Sequence, residues 1–135
     1  MDCIFCKIIN GDIPGEKVYE DDDVLAIMDI NPANKGHVLV IPRKHYETYL
    51  DLPDEIAAKM GKASKKVAQG VLKAAEVEGF NILNNNKKVA GQIVPHVHIH
   101  IIPRYEADGV DMSFSQKEYS EGELKSFADK IKRAI

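Results

Sequence analysis

Three histidines fall at alternate positions in the run His96-Val97-His98-Ile99-His100, and Ile101-Ile102-Pro103-Arg104 follows directly. A period of two is the period of a β-strand, whose successive side chains point to opposite faces. The run predicts a strand in which His96, His98 and His100 share one face while Val97, Ile99 and Ile101 line the other. The apolar face needs a covering layer, and the imidazole face is expected to look into a cleft or a polar site. A strand of this kind is stable only inside a larger sheet packed against helices.

The rest of the chain supplies both. Lys17–Glu20 and Val24–Ile30 read as two strands of a hairpin turning through Asp21-Asp22-Asp23, with Asn31-Pro32 ending the second. His37–Pro42 is a third strand, Phe80–Asn85 a fourth, and the histidine run a fifth that ends near Pro103. Between the third and fourth, Ile56, Met60, Ala63, Val67, Val71 and Ala74 keep helical spacing; Pro53 suits the first turn and Gly79 the end. Residues 3–10 read as a short helix stopped by Asn10-Gly11. Ser120 and Glu123 form a possible capping box for a last helix with the stripe Leu124, Phe127, Ala128, Ile131 and Ile135. Grouped strands with separate helices predict an α+β fold with a mainly antiparallel sheet. At 135 residues, with no repeat or linker composition, the expectation is a single domain over 1–135.

Charge and hydropathy exclude several classes of function. Eighteen basic residues against 21 acidic ones give a net charge of −3, so a broad grip on nucleic acid is not expected. No apolar run approaches the length of about 20 residues that crosses a bilayer, so no membrane partner is expected. The opening Met-Asp-Cys-Ile-Phe-Cys lacks the basic and apolar regions of a secretory signal, and a cytoplasmic protein is expected.

The histidines also limit the chemistry. At about 3.3 Å per residue, His96 and His100 have Cα atoms roughly 13 Å apart in a strand, too far to serve one zinc together. At most two of the three can share a metal, and at least one is free. A neutral imidazole can attack phosphorus, while its neighbours donate to phosphate oxygens. Cys3 and Cys6 form a lone C-x-x-C. In a reducing compartment that spacing leaves a metal knuckle or two buried core thiols.

Pro95-His-Val-His-Ile-His-Ile-Ile-Pro-Arg104 resembles the signature of the histidine triad (HIT) superfamily, His-x-His-x-His followed by two apolar residues. Residues 3–9, 28–32, 36–45 and 90–92 resemble further blocks of that family in the same order, which places the chain near the bacterial-type HIT proteins related to the Hint branch. The resemblance implies an α+β homodimer whose two five-stranded sheets join. It implies hydrolysis or transfer at the α-phosphate of purine nucleotide conjugates such as adenosine phosphoramidates, through a nucleotidyl-histidine. His98 matches the nucleophile, and His100 matches the group that hydrogen-bonds the phosphate and leaving-group region. Asp29 matches the ribose-binding carboxylate, Ile30 and Ile8 the apolar slot for an AMP-like base, and His37 a fourth histidine beside the triad. Asn85, Gly91 and Gln92 match the phosphate-side loop. Cys3, Cys6, His45 and His96 match the ligands of a structural zinc.

The chain departs from the Hint pattern in three places. Ile93 stands where many relatives carry serine, Lys87 and Lys88 stand in a loop that often carries glycine, and there is no tryptophan. Three functions therefore compete: a nucleotidyl hydrolase or transferase using His98, a nucleotide-binding regulatory module with weak residual activity, and a zinc hydrolase with His96 and His98 on an open metal.

Overall fold

In the computed structural model, which describes residues 2–135, the elements run α1 (Ile4–Ile9), β1 (Lys17–Glu20), β2 (Val24–Met28), β3 (Val38–Pro42), α2 (Asp54–Ala75), β4 (Gly79–Leu83), β5 (Ile99–Arg104) and α3 (Glu123–Ala134). The five strands form one antiparallel sheet in the order β1-β2-β3-β5-β4. The α+β class and the antiparallel sheet agree with the sequence reading.

Strand alternation divides the core in two. Val24, Ala26, Val38, Val40, Ile99 and Ile101 face α2 and meet Met60, Ala63, Val67 and Val71. Leu25, Ile27, Leu39 and Ile41 face the other way and meet Cys3 and Phe5. The short α1 is thus the lid of the second layer, and it covers the sheet face that carries the histidines. His100 lies opposite Leu39 in the β3–β5 register and opposite Leu83 in the β4–β5 register.

Several boundaries differ from the sequence reading. The ladder of β5 begins at Ile99, so His96 and His98 precede it in irregular chain. Their side-chain alternation survives because Val97 joins the α2 core with Ile99 and Ile101. Strand β2 ends at Met28, leaving Asp29 and Ile30 in the turn beyond. Helix α2 ends at Glu76, which takes the left-handed conformation at φ 55°, and Gly79 instead opens β4. At Ser120–Glu123 only half of the capping box forms, the Glu123 carboxylate accepting from the Ser120 N–H. No described helix is long and apolar enough to cross a membrane.

Candidate active site

The imidazole face is largely covered, with His100 half-buried. His96 is 0% exposed and His98 is 6% exposed, because α1 lies across them. Phe5 presents its ring edge-on to His98 at 5.2 Å and to His96 at 5.8 Å. The sequence reading gave Phe5 no role, although it sits between the two cysteines of the C-x-x-C and travels with them.

Each histidine's proton can be placed from its fixed partner. A carbonyl only accepts, so His98 Nδ1, 2.8 Å from the His96 carbonyl oxygen, carries the proton. The Nε2 of His98 is left with a lone pair. A backbone N–H only donates, so His37 Nδ1, 3.0 Å from the Ala33 nitrogen, accepts. Neutral His37 therefore carries its proton on Nε2 and donates it to His100 Nδ1 at 2.9 Å. That leaves neutral His100 with an Nε2–H to offer. The rings of His98 and His100 lie 4.8 Å apart, so a nucleophilic lone pair and a donor stand side by side. Burial lowers the affinity of all three rings for a second proton and takes His100 to about 4, with the charged forms of His98 and His37 acting the same way on His100. The rings are neutral at pH 7, the form that attacks phosphorus.

Asp29 Oδ1 accepts from the Asn31 N–H at 2.8 Å and fixes the turn after β2. Its Oδ2 lies 3.5 Å from His37 Nε2. Ile30 is 87% exposed, while Ile8 is half-buried against the second core layer. Asn84 donates to the His98 carbonyl at 2.9 Å, and Asn86 bonds both Asn84 and the Tyr49 N–H. Asn85 has no hydrogen-bond partner among the described residues, and its amide lies beside Gly91, which has φ 91°. Gln92 is buried, its Oε1 accepts from the Lys87 N–H, and its Nε2 donates to the Glu47 carbonyl. One bond at each end of that amide shapes the loop, and a second lone pair and a second N–H remain.

The side chains of Cys3, Cys6, His45 and His96 converge, with one ligand atom from each lying within 4.8 Å of all the others. Cys3 Sγ is 3.4 Å and Cys6 Sγ 3.6 Å from His96 Nδ1, Cys6 Sγ is 3.5 Å from His45 Nδ1, and the two imidazole nitrogens are 3.1 Å apart. Zinc bonds near 2.3 Å to sulfur and 2.0–2.1 Å to nitrogen give a tetrahedron with S–N edges of about 3.5 Å and an N–N edge of about 3.4 Å. The observed edges fit. His96 Nε2 donates to the Pro42 carbonyl at 2.9 Å, so its Nδ1 keeps the lone pair that a metal needs. Burial holds His96 at about 4, so the ring is neutral and ready to ligate. His98 is outside this cluster, against the reading in which His96 and His98 share an open metal.

A second group, Asp29, His37 and His100, also converges. Here the Ala33 N–H already occupies His37 Nδ1, and the proton sits on the Nε2 that would face an ion. This group is a hydrogen-bonded chain and not a metal centre.

The sequence pattern of the HIT domain family matches residues 10–107. An uncharacterized HIT-like protein of Methanocaldococcus jannaschii is 57% identical over 84% of this chain and 88% of its own. An adenosine 5'-monophosphoramidase of Schizosaccharomyces pombe is 42% identical over 100% of this chain and 99% of its own. The crystal structure of a HIT family member from Bacillus subtilis superposes with a TM-score of 0.94 at 43% identity, covering 100% of this chain and 98% of that one. A zinc-bound histidine triad protein from Mycobacterium smegmatis gives a TM-score of 0.77 at 34% identity, covering 100% and 99%.

Proposed function

The chain belongs to the HIT domain family, and from that premise we propose that it is a nucleotide hydrolase or transferase acting at the α-phosphate of adenosine or related purine nucleotide conjugates, phosphoramidates among them. The observation that carries this reading is the proton placement: a lone pair on His98 Nε2 beside an Nε2–H on His100. A relative of full-length similarity bears the name adenosine 5'-monophosphoramidase.

His98 Nε2 forms a bond to the α-phosphorus, and the bond from phosphorus to the leaving nitrogen breaks, the amine departing with a proton from solvent. The His96 carbonyl, bonded to His98 Nδ1–H, stabilises the positive charge that grows on the ring. His100 Nε2–H donates to a phosphoryl oxygen, and the His37–Ala33 chain holds that tautomer. Water then attacks phosphorus, the N–P bond breaks, and the water's proton returns to solvent. Asp29 Oδ2 accepts from a ribose hydroxyl, and Ile30 and Ile8 flank the base. Asn85 and the Gly91 backbone meet the phosphate side.

Cys3, Cys6, His45 and His96 would hold a structural zinc, and four protein ligands would tie α1 to the histidine segment without leaving a position for substrate. The exposed edge of β4 suits pairing with the same strand of a second copy, as a cytoplasmic homodimer.

A second reading, a nucleotide-binding module with weak turnover, draws on Ile93. This residue is exposed and offers no hydroxyl to a leaving group. Release of amine from an adenosine phosphoramidate separates the two. Turnover lost in His98→Ala supports the enzyme, whereas nucleotide binding without turnover supports the module.

A further inference from the structure

Cys3 and Cys6 are the only cysteines of the chain, so only one disulfide can form within it. Both are free thiols, Cys3 buried and Cys6 half-buried. Cys3 caps α1: its carbonyl accepts from the Lys7 N–H at 3.0 Å, and its Sγ accepts from the Cys6 N–H at 3.4 Å. The pair therefore spans a single helical turn. Cα atoms three residues apart on such a turn are about 5 Å apart, inside the range of roughly 4.4–6.8 Å that a disulfide bridges. The two sulfurs already share a neighbour, at 3.4 and 3.6 Å from His96 Nδ1, and lie within 4.8 Å of each other. Rotation about the two Cα–Cβ bonds closes the remaining gap.

We propose that Cys3 and Cys6 form a peroxide-sensitive dithiol: hydrogen peroxide oxidises them to a disulfide, which releases the zinc proposed for this cluster and slows the reaction at His98. Cys6 is the more accessible of the two and reacts first. Its thiolate attacks a peroxide oxygen, the S–O bond forms, the O–O bond breaks, and hydroxide leaves and is protonated to water. The thiolate of Cys3 then attacks the Cys6 sulfur, the S–S bond forms, the S–O bond breaks, and a second hydroxide leaves as water. Two thiolates lose two electrons, and one peroxide with two protons from solvent becomes two waters. A disulfide offers a metal no thiolate, which leaves the imidazoles of His45 and His96 where four ligands stood.

The effect reaches the nucleophile through α1. This helix has six residues, too few to stand alone in water. Cys3 and Phe5 pack it on Leu25, Ile27, Leu39 and Ile41, and the two sulfurs tie it to His45 and His96. Phe5 lies between the cysteines in the chain and meets His98 edge-on at 5.2 Å. Closing the disulfide draws in the turn that carries Phe5 and removes its tie to the histidine segment. The coupling rests on the zinc reading of this cluster and, for its effect on turnover, on the reaction proposed above.

The test exposes the full-length protein, reduced and loaded with zinc, to hydrogen peroxide in modest excess. A metal-sensitive dye follows zinc in solution, and intact and peptide masses after alkylation of free thiols report the cysteines. The expected product is a single chain with neither cysteine alkylated, a peptide of residues 1–7 lighter by two hydrogens, and zinc released in step. Turnover of an adenosine phosphoramidate falls about 3- to 10-fold, the loss expected when Phe5 leaves His98, and returns with a reductant and added zinc. Cysteines still alkylated with the metal retained, a sulfinic acid on Cys6 beside a free Cys3, a disulfide between two chains, or full turnover in the disulfide form overturns the proposal. A reduced protein that binds no zinc fails the zinc reading before oxidant is added and takes this proposal with it. A reduced protein with zinc but no turnover fails the proposed reaction alone; disulfide formation with zinc release then still supports the dithiol, and its absence still overturns it.

Discussion

Phe5 joins the cysteine knuckle to the nucleophile, and replacing it tests that connection. Its ring is buried and meets both His96 and His98 edge-on. Phe5→Ala removes a packed ring, which costs about 3–5 kcal/mol and lowers Tm by about 10–15 °C. That result alone says little about catalysis. Phe5→Leu is more informative, because it keeps most of the apolar volume and costs less than about 1.5 kcal/mol. It loses the edge-to-face contact with His98, worth about 0.5–1.5 kcal/mol. If that contact holds the ring at its attack angle, kcat falls by about 3- to 10-fold. Bound metal should stay unchanged, since Phe5 supplies no ligand. Steady-state turnover of an adenosine phosphoramidate, thermal melting and elemental analysis read the three quantities. Wild-type kcat in Phe5→Leu would refute the orienting role.

The two jobs of the histidine segment should separate by variant. His96→Ala and Cys6→Ser should lose zinc and melt earlier, whereas His98→Ala should keep zinc and lose turnover. Zinc lost from His98→Ala, by elemental analysis, would contradict that division. His98→Ala should also cost about 1–3 kcal/mol of stability, because most of its ring is packed against Phe5. Burial lowers His100 to about 4 in the fold, below its ordinary 6.5. The unfolded chain therefore takes that proton first as pH falls, and up to about 3 kcal/mol of stability present above pH 6.5 is lost between 6.5 and 4. Burial of His37 acts in the same direction and the Asp29 charge opposes it. Denaturant midpoints at pH 7 and pH 5 should differ less in His100→Asn than in the wild type, and an equal difference would contradict the account. AMP should bind about tenfold or more tightly than dAMP, because Asp29 Oδ2 is free to accept from ribose. Asp29→Ala should remove the preference, and equal calorimetric affinities in the wild type would count against it.

The fold was legible where side-chain period alone decides the outcome. Alternation at Val97, Ile99 and Ile101 assigned the α2 face correctly although the ladder starts only at Ile99. The convergence of Cys3, Cys6, His45 and His96 followed from family likeness, and the sequence itself supplied only the C-x-x-C spacing. Burial of the imidazole face was not legible, because it depends on α1 folding back over the sheet, a contact between residues more than 90 positions apart. The helix end at Glu76 was missed because an ordinary residue takes a left-handed conformation better suited to glycine. The three asparagines at 84–86 look alike in sequence, and only tertiary partners show that Asn84 and Asn86 serve the fold. The two bonds that tie Gln92 into the fold were not legible either, because its backbone partners, at Glu47 and Lys87, lie in different loops.

The central claim is that His98 Nε2 bonds to the α-phosphorus. The direct measurement mixes the full-length protein with an adenosine phosphoramidate, quenches within the turnover time, and determines intact mass and then peptide mass. The account predicts an adenylyl group on the peptide carrying His98, formed and lost at rates that match turnover, and absent from His98→Ala. An adduct on another residue, or full turnover with no adduct at any quench time, would contradict it.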